Sequence, residues 1–448
     1  MASTMNIYET YRTVNKRIGT GEKIFFKQGS TECFFSSTGA DPDNYLRLPT
    51  IGIYMGAGTS HSWLWFVDLF DRMGFYDLVF LDETHIRQNG LTGIDVLAIS
   101  GGDTFAIAEG LGETGSLEIE NFVVNGGLYI GSCAGAYLPL NSSKEHLNQF
   151  NFVNVKITNL TGTLPEAKKM AEKYCTPYGC SFIYHPVREA VSLRTTGIPP
   201  FTGMNTVSAP LYGGPALVTT HNGCILANYE SFTDKTLFLV DEQLARETLI
   251  GKAAAVKTAM GQGKFYLFGP HFEHPNFPLA NKLVADAIYW DSHITARVAK
   301  ENADIKTVNI NGKTVKNLLM DIRRELSNSR ITAFGMEMLP VRWQIGNKIY
   351  EPPKIRVFIE AMWHRLKQLE KWGSLTVSPI SQANIVKMAQ AVTVLLREMK
   401  QQLDKEWDTT ALAEELFHSL KTLTGLFLQI YFNTARGLLR DTTLLISE

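Results

Sequence analysis

Leu128-Tyr-Ile-Gly-Ser-Cys-Ala-Gly-Ala-Tyr-Leu138 decides how the chain is read. Leu128, Tyr129 and Ile130 form a short apolar run with the length of a buried strand, and the run stops at Gly131. Ala134 to Leu140 is expected to open a helix. Cys133 stands at the junction with only small residues beside it: Ser132, Ala134 and Gly135. A sharp strand-to-helix turn that pushes one side chain out of a sheet has this composition, because bulky neighbours would clash there. A helix starting at Ala134 would aim N–H groups and a positive dipole end at the sulfur and favour its thiolate. Cysteine is also one of the most buried residue types, so a structural Cys on a core strand is the competing reading of the same stretch.

A second strand end lies 138 positions on, in Lys264-Phe-Tyr-Leu-Phe-Gly-Pro-His-Phe-Glu-His-Pro275. An apolar run again stops at glycine, and His271-x-Glu273 follows. A thiol nucleophile needs a base, and the base needs a carboxylate to orient it. Residues two apart on an extended segment point the same way, so His271 and Glu273 are expected side by side. Alone, a His-x-Glu is ordinary loop sequence. At a strand end, and paired with a Gly-x-Cys-x-Gly strand end elsewhere, it is a much stronger signal.

Strands read at Thr50–Tyr54, Asp77–Leu81 and Ile94–Ser100 alternate with helices from about Ser60 to Met73 and from Thr104 to Leu111. This order implies an α/β fold with a parallel sheet and helices on both faces. Ligands of such sheets bind at the carboxyl ends of the strands. Gly101-Gly102, Cys133 and His271 all fall there. Gly101 and Gly102 let backbone N–H groups come close to an oxyanion; a plain turn is the alternative. Gly56-Ala-Gly58 also follows a strand, but it lacks the third glycine of a dinucleotide fingerprint, and no cofactor is expected.

The pair Gly131-Ser-Cys133-Ala-Gly135 and Gly269-Pro-His271-Phe-Glu273 resembles the Cys-His-Glu triad of class I glutamine amidotransferase-like domains. It is most similar to the branch found at the N-terminus of some biotin–protein ligases. Tyr54-Met-Gly-Ala-Gly-Thr-Ser, Ile99-Ser-Gly-Gly-Asp103, and Tyr212-Gly-Gly-Pro215 followed by Ile225-Leu-Ala-Asn-Tyr229 fit that branch too. The resemblance covers about residues 49–292. It implies a flavodoxin-like parallel sheet, Cys133, His271 and Glu273 as catalytic residues, and Gly101, Gly102 and the Ala134 N–H at the oxyanion and substrate. It departs at Tyr137, where many glutamine amidotransferases carry Gln, so glutamine itself is not implied as substrate. No biotin-ligase catalytic sequence follows, so ligation of biotin is not implied either.

Three domains are expected: an N-terminal extension over 1–48 with little regular structure, the α/β domain over 49–300, and an α-helical bundle over 301–448. In the last, Ile355, Phe358, Met362, Leu366 and Leu369 recur at helical spacing, as do Ile385, Met388, Val392, Leu395, Met399 and Leu403, and Leu412, Leu416, Leu420 and Leu423. Nothing in this bundle resembles a site; it is expected to dock, self-associate or bind a protein partner. Gly346–Pro353 reads as a connector. Gln149–Ile157 reads as strand, Pro165–Tyr174 as helix, and Ala253–Met260 with Lys264–Phe268 as a hairpin. The odd set of Cys33, Cys133, Cys175, Cys180 and Cys224 has no disulfide-framework spacing, and Cys175-x4-Cys180 lacks the further ligands of a metal site. His185 and His221 read as core or loop histidines. A formal net charge of −1 gives no electrostatic reason to expect nucleic acid or an acidic membrane as partner. No signal peptide or membrane span is visible, so a cytoplasmic location is expected.

The leading functional expectation is a cysteine-dependent amidohydrolase or amidotransferase-like enzyme. It would act on a small-molecule amide or peptide through a thioester, without metal or cofactor. A binding or scaffold protein on the same fold, and a cysteine peptidase, are the alternatives.

Overall fold

A computed structural model describes residues 4–39, 45–158, 185–219, 223–291, 308–346 and 348–444. The chain divides into two compact units, Met1–Phe75 with Leu81–Lys300, and Tyr76–Phe80 with Glu301–Glu448.

The first unit begins with helix α1 (Thr4–Gly19) and a hairpin of β1 (Phe25–Gln28) and β2 (Cys33–Ser36). This corrects the expectation of an N-terminal stretch with little regular structure. Tyr11, Val14 and Ile18 of α1 are buried at helical spacing, a stripe disguised by the charged and hydroxyl residues between them. Then come β3 (Ile51–Tyr54), α2 (Trp63–Met73), β4 (Leu78–Leu81), α3 (Glu83–Arg87), β5 (Val96–Ile99), α4 (Thr104–Val124), β6 (Leu128–Ser132) and the single turn α5 (Ala134–Tyr137). The second half holds β7 (Val155–Ile157), β8 (Val187–Thr195), β9 (Thr206–Leu211), β10 (Leu217–Thr219), β11 (Cys224–Phe232), β12 (Leu237–Phe238), α6 (Glu242–Leu249), β13 (Ala253–Met260), β14 (Gly263–Phe268) and α7 (Pro278–Asp291).

The main path of the sheet runs β12-β8-β11-β13-β14-β6-β5-β3-β4. Strands β14, β6, β5 and β3 pair in parallel, giving the flavodoxin-like order expected of the α/β domain. Val96 to Ile99 and Leu128 to Ile130 are almost wholly buried, the continuous apolar run of strands covered on both faces. β13 and β14 form the expected hairpin, and β8, β9 and β11 extend the sheet antiparallel.

The strand expected over Gln149–Ile157 is shorter. Glu145–Phe150 is a 3-10 helix and only Val155–Ile157 is strand. Phe150 and Phe152 still meet ring to ring, and Phe152 meets Phe265, so the alternation marks burial rather than a ladder. The helix expected over Pro165–Tyr174, the Cys175–Cys180 loop and His221 lie outside the described residues. Cys33, Cys133 and Cys224 are free thiols, and the described residues hold no cluster able to bind a metal.

The second unit carries β15 (Val308–Asn311), α8 (Gly312–Glu337), β16 (Trp343–Ile345), β17 (Lys348–Tyr350), α9 (Pro352–Trp372), β18 (Ser374–Val377), α10 (Pro379–Leu403) and α11 (Thr410–Leu444). Four helices dominate, with buried stripes such as Ile355, Phe358, Met362, Leu366 and Leu369. The connector expected at Gly346–Pro353 is largely the β16–β17 hairpin. It is anchored by buried Trp343, whose Nε1–H donates to Thr409 Oγ1 at 2.8 Å. Pro352 and Pro353 open α9, where their missing N–H groups cost nothing. Among the described residues no helix is long and apolar enough to cross a membrane.

Candidate active site

The carboxyl ends of three adjacent parallel strands lie level. Gly131 of β6 pairs with Ile99 of β5 on one side and Leu267 of β14 on the other. The next residues out are Ser100-Gly101-Gly102, Ser132-Cys133 and Phe268-Gly269-Pro270-His271. Register alone therefore brings the glycine loop, the thiol and the imidazole to one edge.

Cys133 sits on the central strand of the three at φ 51°, ψ −109°, a conformation costly for a residue with a side chain. Its neighbours hold it there. Its N–H donates to Phe268 O at 2.9 Å, and the Gly135 N–H donates to Ser100 O at 3.1 Å, so the elbow is tied to both flanking strands. A Cβ on Gly135 would lie 2.0 Å from Ile99 O, a distance no side chain tolerates. The helix beyond is one turn, α5, not the stretch to Leu140 expected from the sequence. A macrodipole of useful size needs more aligned peptides than this, so the dipole part of the expectation falls away. What remains is local: Ala134 is the first residue of α5, and its N–H has no acceptor within that helix.

The His271–Glu273 pair lies in a turn after β14 rather than on an extended segment, closed by the His274 N–H on His271 O at 3.2 Å. The two side chains nevertheless meet. Phe272, between them, is fully buried and stacks on Phe268 with ring centroids 4.7 Å apart, which turns the residues on either side toward the strand ends. His271 Nδ1 donates to Glu273 Oε1 at 2.7 Å, and the same ring makes a side-chain hydrogen bond with Cys133. Burial on its own would lower the His271 pKa; the Glu273 charge and the hydrogen bonds with Cys133 and Glu273 outweigh it and push the imidazole up to about 10. Burial likewise opposes the charge on Glu273, but His271 beside it and the Ser100 hydrogen bond hold the carboxyl below its ordinary range.

Sequence reasoning missed two serines. Ser100 Oγ donates to Glu273 Oε1 at 2.7 Å, and Ser132 Oγ donates to Oε2 at 2.8 Å. Both immediately precede residues already singled out, Gly101 and Cys133, and that adjacency was the available signal. Ser100 Oγ also lies 2.9 Å from Ser62 Oγ, whose own hydroxyl donates to Gly101 O at 3.2 Å. All four residues are buried, and both carboxylate oxygens are satisfied.

Gly101 lies against the imidazole; a Cβ there would come within 2.7 Å of His271 Cε1. The Gly101 carbonyl takes the Ser60 N–H at 3.1 Å, and the Asp103 N–H goes to Gly58 O at 2.8 Å, which leaves the Gly102 N–H out of that ladder. The Tyr212-Gly-Gly-Pro215 motif abuts the turn that carries His271. The Gly214 Cβ position falls 1.7 Å from Gly269 O, and His271 N–H donates to Pro210 O at 2.9 Å. Tyr137 reaches the same motif, its hydroxyl donating to Gly213 O at 3.2 Å. Trp65 meets His271 edge-on at 4.9 Å and His274 at 4.4 Å, and Tyr212 lies 5.8 Å from His271. Burial and the His271 charge push His274 down to about 4, so its ring is neutral near pH 7. His185 is buried beneath Gly213, as expected of a core histidine.

Residues 50–151 match the family described as biotin-protein ligase, N terminal. No curated protein matches the chain. The solved structures it resembles include a glutamine amidotransferase (16% identity, TM-score 0.35, covering 53% of this chain and 97% of that one). They also include a glutamine amidotransferase from Thermotoga maritima (10%, TM-score 0.30, 53% and 82%). A third is a putative ThuA-like protein from Bacteroides uniformis (13%, TM-score 0.32, 56% and 95%).

Proposed function

We propose that this chain, which has the class I glutamine amidotransferase-like fold in the branch matched at residues 50–151, is a cysteine-dependent hydrolase of carbon–nitrogen amide bonds. One observation supports this above the others: a strained, buried Cys133 at the carboxyl end of the central strand shares a hydrogen bond with His271, whose other side is bound to the buried carboxylate Glu273.

In the resting pair the thiol proton lies on the imidazole, a transfer that the raised His271 pKa favours, leaving a Cys133 thiolate. The thiolate attacks the amide carbon, the C–S bond forms, and the carbonyl π pair moves to oxygen. The N–H groups of Gly102 and Ala134 stabilise that oxyanion. Collapse breaks the C–N bond as His271 gives its proton to the leaving nitrogen. A water then attacks the thioester, its proton passes to His271, and the thiolate leaves. Glu273, ionised throughout, holds the ring and stabilises its positive charge; Ser100 and Ser132 hold Glu273.

The test is acid-quenched intact mass spectrometry during incubation with a panel of amides, glutamine, asparagine and short peptides included. The expected result is amine release together with an acyl adduct, labile to hydroxylamine, on the peptide containing Cys133. Amine release with an adduct elsewhere, or no adduct and no release across the panel, contradicts the reading.

A further inference from the structure

We infer that Asn281 is the positioning residue of the His271–Glu273 turn, and that helix α1 holds it in that role through Tyr8. This rests on the proposed function and adds a part of the machinery outside the strand ends. Asn281 lies on α7 and is fully buried. Its Nδ2 donates to Phe272 O at 2.6 Å and to His274 O at 3.1 Å, the carbonyls on either side of Glu273. Its Oδ1 accepts from Tyr8 of α1 at 2.7 Å. Two carbonyls can only accept, so the amide has one workable orientation, and three of its hydrogen-bonding positions are used in it. The turn itself is short and non-repetitive; Ser100 and Ser132 hold the Glu273 carboxylate from the strand ends, the Phe277 N–H also meets His274 O at 3.1 Å, and Asn281 fixes the backbone on both sides of Glu273.

Tyr8 is placed by more than this one contact. Its hydroxyl lies 3.4 Å from Pro275 O, Arg72 Nη1 donates to the same carbonyl at 3.1 Å, and the Arg72 guanidinium lies 5.4 Å from the centre of the Tyr8 ring. Further along α1, Tyr11 bonds to Asp286, and Asn15 accepts from Tyr289 while donating to Met73 O at 2.9 Å. Tyr8, Tyr11 and Asn15 meet Asn281, Asp286 and Tyr289 in order, so a polar seam sets the register of α1 on α7. Directional bonds fix that register more tightly than apolar contact would. Only the Tyr8 end of the seam reaches the turn carrying the imidazole.

The readout is the rate of Cys133 alkylation by iodoacetamide against pH, with a thermal melt of each variant. The titratable groups around the pair are Glu273, His274, Tyr212 and Tyr229. None is altered by the variants. Asn281→Ala is expected to slow Cys133 alkylation at pH 7 by about tenfold or more, since small displacements of a catalytic group cost that much. It should also move the midpoint of the profile upward. Tyr8→Phe is expected to do the same more weakly, and it serves if Asn281→Ala does not fold. Tyr289→Phe, which removes a seam bond remote from the turn, should leave the midpoint where it is. An unchanged midpoint in Asn281→Ala and Tyr8→Phe, or an equal shift in Tyr289→Phe, overturns the inference while the wild-type profile stands. A wild-type Cys133 that titrates as an ordinary thiol overturns the proposed function and the inference together.

Discussion

Cys133→Ala is expected to abolish release of amine from any amide found to be hydrolysed by the wild-type protein. The other free thiols of the described residues cannot substitute: Cys33 lies in the N-terminal hairpin and Cys224 begins β11, away from the aligned ends of β5, β6 and β14. The change removes one sulfur from a site that already accommodates a Cβ at positive φ, so the variant should fold, and its melting curve checks this. Full wild-type turnover in folded Cys133→Ala would remove Cys133 from the mechanism.

Glu273→Gln is expected to lower turnover by roughly 10²–10³. Replacing the orienting carboxylate of a Ser-His-Asp triad by its amide costs about 10⁴, and a cysteine depends less on its base than a serine does. The amide can still accept from Ser100 but has lost the charge that opposes burial of His271. The sign of the pH effect follows. A raised His271 pKa means that the charged imidazolium stabilises the native site fully below about 6.5, the unfolded value, and that this is lost as pH rises through about 10. In the variant, burial is no longer opposed by that charge and the imidazole is neutral at pH 7. The thiolate then forms only as pH rises toward the thiol's own range. Activity of Glu273→Gln should therefore be lowest at and below neutrality and recover partly in alkali. A uniform loss across pH, or none, would mean that Glu273 does not govern the charge on His271.

The strand-end part of the site was legible in the sequence because it depends on local chemistry. Small residues around Cys133, glycines at 101 and 102, and an apolar run before His271 each state where a strand stops. Parallel pairing then brings the stops level. The partners of Glu273 were harder to see, since Ser100 and Ser132 are common residues whose meaning comes from register across β5, β6 and β14. Trp65 and Asn281 carried no signal at all. Each sits on a helix among residues that core packing alone explains, and only the tertiary arrangement sets them against the His271 turn. Helix α1 was overlooked because three buried apolar residues in sixteen look like a solvated stretch when the surface they cover is far off in sequence. The dipole expected behind Cys133 failed for the opposite reason: the residues after the elbow do form a helix, but Pro139 follows closely and the helix ends after one turn.

The proposed chemistry requires Cys133 to be held as a thiolate by His271. It is tested most directly by iodoacetamide labelling of the folded wild-type protein from about pH 5 to about pH 10, with mass spectrometry resolving all five cysteines. Cys133 is expected to react ahead of Cys33, Cys175, Cys180 and Cys224 at pH 7. Its rate is expected to be already on its plateau there, with no rise through the ordinary thiol range near about 8.5. A Cys133 that stays protected, or whose rate climbs through that range like a free thiol, would contradict the proposed chemistry.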